Sequence, residues 1–451
     1  MAPLRSIVGK FAHAAFTLQP GHRHTTLHKA LPSSTSETAA LHGLSEMCRL
    51  FQATPENNLY LDASPLGRGV FVKDSVSKGD VILSIPISSC FRDDEPPDWF
   101  ERFTEDDDVT DYERYDPSAW AIRLVASLLD MDLDRDTNNE DLKRGRELWK
   151  SMLPDKNMLR ASLPVHWNEE LLLSTKCTAL EVAVDNAFFS RGNAVLAVSD
   201  KLGQFLNDRG GFDEDELKKK CHDALDMVQT RACRVERTCE DGIQWGPPLR
   251  VLAPIFDFIN HASAKTTGRF TANAEFGIEG ETMGDIHDAK LVVRALKDLR
   301  GGEEVLIDYG DSARPAWKCL NSYGFVPIYD PKSDIVEDGF VENVAELWMN
   351  GLRFEVDPYS IPFDLVEVAG AQAMLDGTEN NSTDEPLSPS VVKAITKRSS
   401  EAALHMLLVS DLSDKEDTPE YRHSASLAAS LRKSQYQVLD AFTENLKAII
   451  F

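Results

Sequence analysis

Two groups of short strand-forming runs, far apart in the chain, set the terms for its fold. Leu59-Tyr60-Leu61, Val70-Phe71-Val72 and Val81-Ile82-Leu83-Ser84-Ile85-Pro86 make the first group, with turns at Pro65-Leu66-Gly67-Arg68-Gly69 and Lys78-Gly79-Asp80. Arg250–Phe258, Arg269–Phe276, Lys290–Ala295 and Glu304–Ile307 make the second, and Gly301-Gly302 turns the chain into its last run. β-Branched runs this short, bounded by glycine, read as small strands of a compact β unit. Between the groups, residues 93–249 have helical texture. Ala119–Leu129 and Asp141–Met152 are amphipathic, Glu170–Arg191 and Asp215–Cys233 read as longer helices, and Pro96-Pro97, Pro154 and Pro164 break the register. A helical block between β segments is an insertion or subdomain, which predicts an α+β fold of small sheets.

The ends of the chain read differently. The first 36 residues contain no Asp or Glu but include Arg5, Lys10, Arg23 and Lys29. That is the composition of an organellar transit peptide, for plastid or mitochondrion, with Arg5–Leu18 as a short amphipathic helix. The other reading is a disordered leader, which leaves cytoplasm or nucleus open. Leu41–Gln52 is a short helix with Leu41, Leu44, Met47, Leu50 and Phe51 on one face. Beyond Tyr329 an all-helical region is expected, with a loop at Thr378–Pro389 and helices over Val391–Val409 and Tyr421–Ile450. Leu427, Leu431, Tyr436, Leu439, Phe442 and Leu446 share one face of the last helix and belong to a core. The expected domains are therefore a leader at 1–40, a β domain at 41–330 split as 57–92 and 250–326 around the insertion 93–249, and a helical domain at 331–451.

Charge and cysteine use exclude several classes. The formal charge is −26, with acidic clusters at Glu105-Asp106-Asp107-Asp108, Asp130–Asp141 and Asp213-Glu214-Asp215-Glu216. A field of this sign repels phosphate backbones and argues against direct nucleic-acid binding, while it can steer a basic partner. No apolar run approaches the roughly 20 residues of a membrane span. The seven cysteines are scattered without a CxxC pair, which fits a reducing compartment and argues against a disulfide framework or a structural zinc site.

The chemistry-bearing residues lie at the ends of the strand runs. Leu252-Ala253-Pro254-Ile255-Phe256-Asp257-Phe258-Ile259 is an apolar segment that stops at Asn260-His261. Gly302-Glu303-Glu304-Val305 leads to Tyr309-Gly310, and Tyr323-Gly324-Phe325 follows. Rigid segments that end in polar groups are what a cleft needs. Together with Leu66-Gly67-Arg68-Gly69-Val70-Phe71-Val72 and Gly79-Asp80-Val81-Ile82-Leu83-Ser84-Ile85-Pro86, these motifs, in this order, resemble a SET domain. The helical insertion and the Leu-rich last helix resemble the branch containing the RuBisCO large-subunit lysine methyltransferase and the actin-histidine methyltransferase. The resemblance covers about residues 57 to 450.

That resemblance implies a SET β fold with a knot-like C-terminal crossing, a helical substrate-binding domain and S-adenosylmethionine as cofactor, with no metal. It implies Tyr309 as the catalytic residue, held beside the transferring methyl. It places Leu66, Gly67 and Arg68 in a cofactor loop, Arg231 on the cofactor's carboxylate, and Asp257 in support of Asn260 in the same pocket. His261 becomes a cofactor-binding and crossing-lock residue, and Tyr323, Gly324 and Phe325 flank the adenine or the target channel. The implied reaction is lysine N-methylation of a non-histone protein by a monomer. A histidine target and a non-catalytic binding module are the alternatives. Two departures bear on the target: Asp311-Ser312-Ala313-Arg314-Pro315-Ala316-Trp317 follows the Tyr-Gly pair where relatives often have Ser-Asn and two leucines, and Cys233 stands where lysine-directed relatives tend to have an aromatic residue.

Overall fold

The computed structural model describes residues 43–64, 67–102, 119–133, 137–207, 213–237, 247–262, 272–280, 286, 288–309, 315–327, 344–376, 387–410, 412 and 415–450. The leader with Arg5–Leu18, the loop residue Leu66, the acidic run Glu105–Asp108, Gly310–Arg314 and most of the Thr378–Pro389 loop fall outside the described residues.

Helix α1 (residues 43–50) packs Leu44, Met47 and Leu50 inward. The strands β1 (Leu59–Ser64) and β2 (Gly67–Val72) then pair antiparallel, with Leu59 opposite Val72 and Ser64 opposite Gly67. β3 (Val81–Pro86) finds its partner across the whole insertion, in the strand Lys290–Ala295, which pairs in turn with Ala274–Glu279. After β4 (Phe91–Arg92) come α2 (Asp98–Arg102), α3 (Ala119–Asp132), α4 (Glu140–Met152), α5 (Lys156–Ser162), α6 (Glu169–Ser174), α7 (Thr178–Asn207) and α8 (Glu214–Arg231). Asn139, Asp155, Asn168 and Asp213 start α4, α5, α6 and α8, each accepting first-turn N–H groups on its side chain. β5 (Cys233–Val235) and β4 flank β6 (Leu249–Leu252) in a second three-stranded sheet. β7 (Asn260–His261), β8 (Ala274–Glu279), β9 (Lys290–Ala295) and β10 (Leu306–Ile307) follow, and β7 pairs parallel with β10. One apolar core unites both strand groups with the insertion: Val72, Ile85, Leu124, Trp149, Val228, Leu252, Val293 and Ile307 all belong to it.

α9 (Ala316–Tyr323) closes this part of the chain. Next come β11 (Ala345–Met349), β12 (Leu352–Val356), α10 (Phe363–Leu375), α11 (Pro389–Leu407) and α12 (Pro419–Ile450). Leu439, Phe442 and Leu446 of α12 are buried against Leu347, Val356, Leu365 and Ile395 in a separate core, as their helical spacing indicates. No described helix is long and apolar enough to cross a membrane.

Three local expectations need correction. The region after Tyr329 is not all helical, because β11 and β12 form an antiparallel hairpin that places Leu347, Phe354 and Val356 under the helices. Glu170–Arg191 is not one helix: it breaks between α6 and α7 at Lys176, whose φ is 55°, and the carboxylate of Glu346 on β11 accepts the N–H groups of Thr178 and Ala179 at 3.0 and 2.6 Å. A cap supplied from so far along the chain leaves no local sequence signal. Arg250–Phe258 is strand only through Leu252; Pro254 lacks an N–H to continue a ladder, and Phe256–Phe258 forms a 3-10 turn. Ile255, at φ 77° and ψ −54°, makes the bend. A β-branched residue held there is strained by about 1–3 kcal/mol.

Candidate active site

The bend at Ile255 aims the next residues. Asp257 lies in the 3-10 turn with its side chain wholly enclosed, and Arg231, at the end of α8, meets its carboxylate at 2.9 Å and its carbonyl at 3.0 Å. The indole of Trp149 donates to both carboxylate oxygens at 3.2 Å. Burial pushes the Asp257 carboxyl above its ordinary value, opposed by Arg231 and by Trp149.

Asn260 and His261 stand on β7, in register with Leu306 and Ile307. The Asn260 amide donates to Glu304 Oε1 at 2.7 Å and to the Arg68 carbonyl at 3.3 Å. Glu304 also accepts from Ser64 Oγ at 3.0 Å, so one carboxylate joins the end of β1, the Asn-His strand and the segment before β10. A Cβ at Gly69 would displace the Glu304 carboxylate from Asn260. His261 accepts the Tyr309 N–H on Nδ1 at 3.2 Å. Its neutral form therefore carries hydrogen on Nε2, and Nδ1 serves to hold Tyr309 rather than to take a proton.

Tyr309 follows β10. Its hydroxyl donates to the Ile259 carbonyl at 2.7 Å, and its ring lies 5.0 Å from Tyr323 and 5.2 Å from His261, centroid to centroid. Burial pushes the phenol well above its usual range, with Tyr323 and two carboxylates acting the same way and Arg231 against. It is a neutral donor, not a base. Gly324 ends α9 in the left-handed region at φ 76°, and a Cβ there would come within 2.8 Å of Ser162 Cβ. Only glycine lets the chain turn so close to α5 and continue into Phe325.

Two cavities of about 720 Å³ each flank these groups. The first is lined by Gly67, Arg68, Arg231, Asp257, Asn260, His261, Tyr309, Tyr323, Gly324 and Phe325, which is every described residue expected to be catalytic or to bind the cofactor. The second runs along Arg234, Glu236, Arg250, Phe256, Glu275, Phe276 and Asp308, and Cys233, its thiol pushed up to about 12 by burial, forms part of its wall. Thr230, Arg231, Asp257, Tyr309 and Tyr323 belong to both walls.

The model of the SET domain matches residues 67–310, more than half of the chain. The chain belongs to the SET domain family. It resembles the solved SET domain of LSMT bound to methyllysine and AdoHcy at 15% identity, over 91% of this chain and 92% of that one, with a TM-score of 0.50. The same SET domain bound to lysine and AdoHcy aligns at 14% identity over 92% of both chains with a TM-score of 0.49. Rubisco LSMT bound to AdoMet aligns at 16% identity over 91% and 92% with a TM-score of 0.48. No curated protein matches the chain.

Sequence reasoning missed several groups at this SET-domain site. Glu304 was visible as an acid just before an apolar strand pair, but its partner Asn260 is 44 residues away. Trp149, on an amphipathic helix of the insertion, reads as core and is also the Asp257 donor. His423 and Leu427 of α12 line the first cavity, and His423 Nε2 lies 2.9 Å from Ser162 Oγ. Nothing around His423 marks it in sequence, and Leu427, expected in a core as part of the last helix's apolar stripe, is only partly buried because its end of the helix faces the cavity.

Proposed function

We propose that this SET-domain chain is an S-adenosylmethionine-dependent protein N-methyltransferase that modifies a lysine side chain of a non-histone protein. The observation that carries the reading is the pair of cavities with Tyr309 and Tyr323 in the wall between them. A donor held in one cavity and an amine entering from the other would meet at the phenol, the geometry an in-line displacement needs.

The first cavity suits the cofactor. The Arg68 and Arg231 guanidinium groups lie over the Phe258 ring at 5.1 and 5.9 Å, and the Asp257 carboxylate pairs with Arg231. Arg231 Nε is buried with no hydrogen-bond partner. Burial and the Arg231 charge hold the Arg68 guanidinium below its ordinary value, and an anionic group would relieve that. Arg68, Arg231, Asn260 and His261 would hold the amino-acid end, and Phe325, Met158 and Leu427 would offer apolar surface to the nucleoside. S-Adenosylmethionine, when bound, supplies an electrophilic methyl group. LSMT, which carries AdoHcy and methyllysine in its solved structure, is consistent with this assignment.

Tyr309 orients rather than ionises. Its hydrogen is committed to the Ile259 carbonyl, so its oxygen offers lone pairs to its surroundings. A lysine amine must arrive neutral although its reference pKa is about 10.4; Glu236, Glu275 and Asp308 in the lining would attract the ammonium, while the rings of Tyr309, Tyr323, Phe256 and Phe276 favour the uncharged form by desolvation. Cys233, rather than a ring, in the same wall keeps a histidine target as the second reading, since imidazole needs less deprotonation.

Calorimetry with S-adenosylmethionine tests the first step; absence of binding at high micromolar concentration would favour a non-catalytic module. Labelled cofactor with a whole-cell protein extract, followed by mass spectrometry of the modified peptide, then separates lysine from histidine. Tyr309→Phe is expected to slow single-turnover transfer by about 100-fold while cofactor affinity is retained; an unchanged rate would remove Tyr309 from the chemistry.

A further inference from the structure

We propose that Gln229, which lines neither cavity, positions Tyr323 by capping the end of α9. The proposal rests on the methyl-transfer reading above. The last carbonyls of a helix have no partners within it. At the end of α9, Gly324 returns its N–H to the Leu320 carbonyl at 3.0 Å, and the next carbonyl, that of Asn321, accepts from Gln229 Nε2 at 2.8 Å. Tyr323 lies in this same final turn. It donates its hydroxyl to the Tyr309 carbonyl at 3.4 Å and meets the Tyr309 ring edge-on at 64°.

The Gln229 amide cannot turn round. Arg191 Nη1 donates to its Oε1, which fixes Nε2 as the group facing Asn321. Arg191 is itself held by Asp226, whose side chain is 2% exposed and whose two oxygens each lie 3.0 Å from His166 Nε2. A buried ion pair of this kind is weak evidence for net stability, because desolvation offsets much of the attraction. Here it holds an amide whose other end grips the helix that carries Tyr323. Two residues on, Arg231 grips Asp257. One turn of α8 thereby sets the distance between the Asp257 side of the wall and the tyrosine pair.

Two substitutions separate positioning from bulk structure. Gln229→Met removes both hydrogen bonds at similar length, and Gln229→Glu keeps the acceptor for Arg191 but sets a carboxylate against the Asn321 carbonyl. With the target peptide from the experiment above, both variants should lose about 10-fold to 100-fold in kcat, with little change in KM. In a Tyr323→Leu background, Gln229→Met should add no further loss. Hydrogen exchange of the cofactor-free proteins should show faster exchange confined to the end of α9. An unchanged kcat in folded variants, or an equal loss in the Tyr323→Leu background, would overturn the proposal. If the wild-type protein fails to bind S-adenosylmethionine, the methyl-transfer reading falls, and the exchange arm still decides the cap: unchanged protection at 320–325 would overturn it.

Discussion

Asp226 and Asp257 are both buried carboxylates facing an arginine, and they differ in what else surrounds them. Asp226 is shut between α7, α8 and the 3-10 turn Pro164–His166; Arg191 and His166 occupy it, and the Arg191 side chain is 8% exposed. Asp257 is equally enclosed, but its Arg231 is 16% exposed, keeps a buried Nε without a partner, and stands in the wall of both cavities. The same pair of residue types thus serves helix register in one place and a site in the other. What separates them is whether the arginine has hydrogen-bonding capacity left over.

The largest effect is expected at Asp226. Asp226→Ala leaves Arg191 as an uncompensated buried charge, and should cost about 3–5 kcal/mol of stability, read as a lower midpoint in urea. Asp257→Ala should cost less, because Arg231 reaches the cavities and their water. Its main effect should be on cofactor affinity, about 10-fold to 100-fold weaker by calorimetry once Arg231 is no longer aimed. If Asp257→Ala proved the more destabilising of the two, the distinction between a register pair and a site pair would be wrong.

Burial raises the Asp257 carboxyl above the ordinary value of about 3.9, so as pH rises the unfolded chain releases this proton first. Wild type should therefore hold its advantage over Asp257→Asn below about pH 4 and lose part of it as pH climbs toward the folded pKa. Paired denaturant curves at stepped pH measure this. A gap that widened with pH would mean that Arg231 outweighs burial.

The SET-domain core was legible because its signals are local. Asn260-His261 and Tyr309 follow short apolar segments, Gly67 and Gly324 mark turns, and all of these, with Tyr323 and Phe325, reach the first cavity. The hairpin β1–β2 follows from two short runs around a glycine turn; β3 and β9 are visible as separate runs, but their pairing across the insertion is not. What escaped depends on partners distant in sequence. Glu304 is silent until Asn260 and Ser64 are beside it, Trp149 looks like any core tryptophan until Asp257 lies under its indole, and the Ile255 bend hides within an apolar run that reads as strand. The β11–β12 hairpin was lost to the helices around it, although Leu347, Phe354 and Val356 alternate as a strand pair should.

Glu346 extends the comparison to a third enclosed carboxylate, and here the expected effect is smallest. It is 5% exposed, on β11, and pairs with Arg353 at 3.2 Å, but its two oxygens also take the first N–H groups of α7. A helix N-terminus is a diffuse positive end, so part of the neutralisation comes from backbone dipoles. Glu346→Gln keeps one acceptor oxygen and turns an NH2 group toward a donor. The loss should be that of an N-cap, about 1 kcal/mol, smaller than at Asp226 because Arg353 is 36% exposed and stays hydrated. Urea midpoints give the magnitude, and hydrogen exchange should place the weakened amides at Thr178–Leu180. A loss as large as that of Asp226→Ala, with exchange spread through α7, would mean that the contact between the hairpin and the insertion is held by charge rather than by a cap.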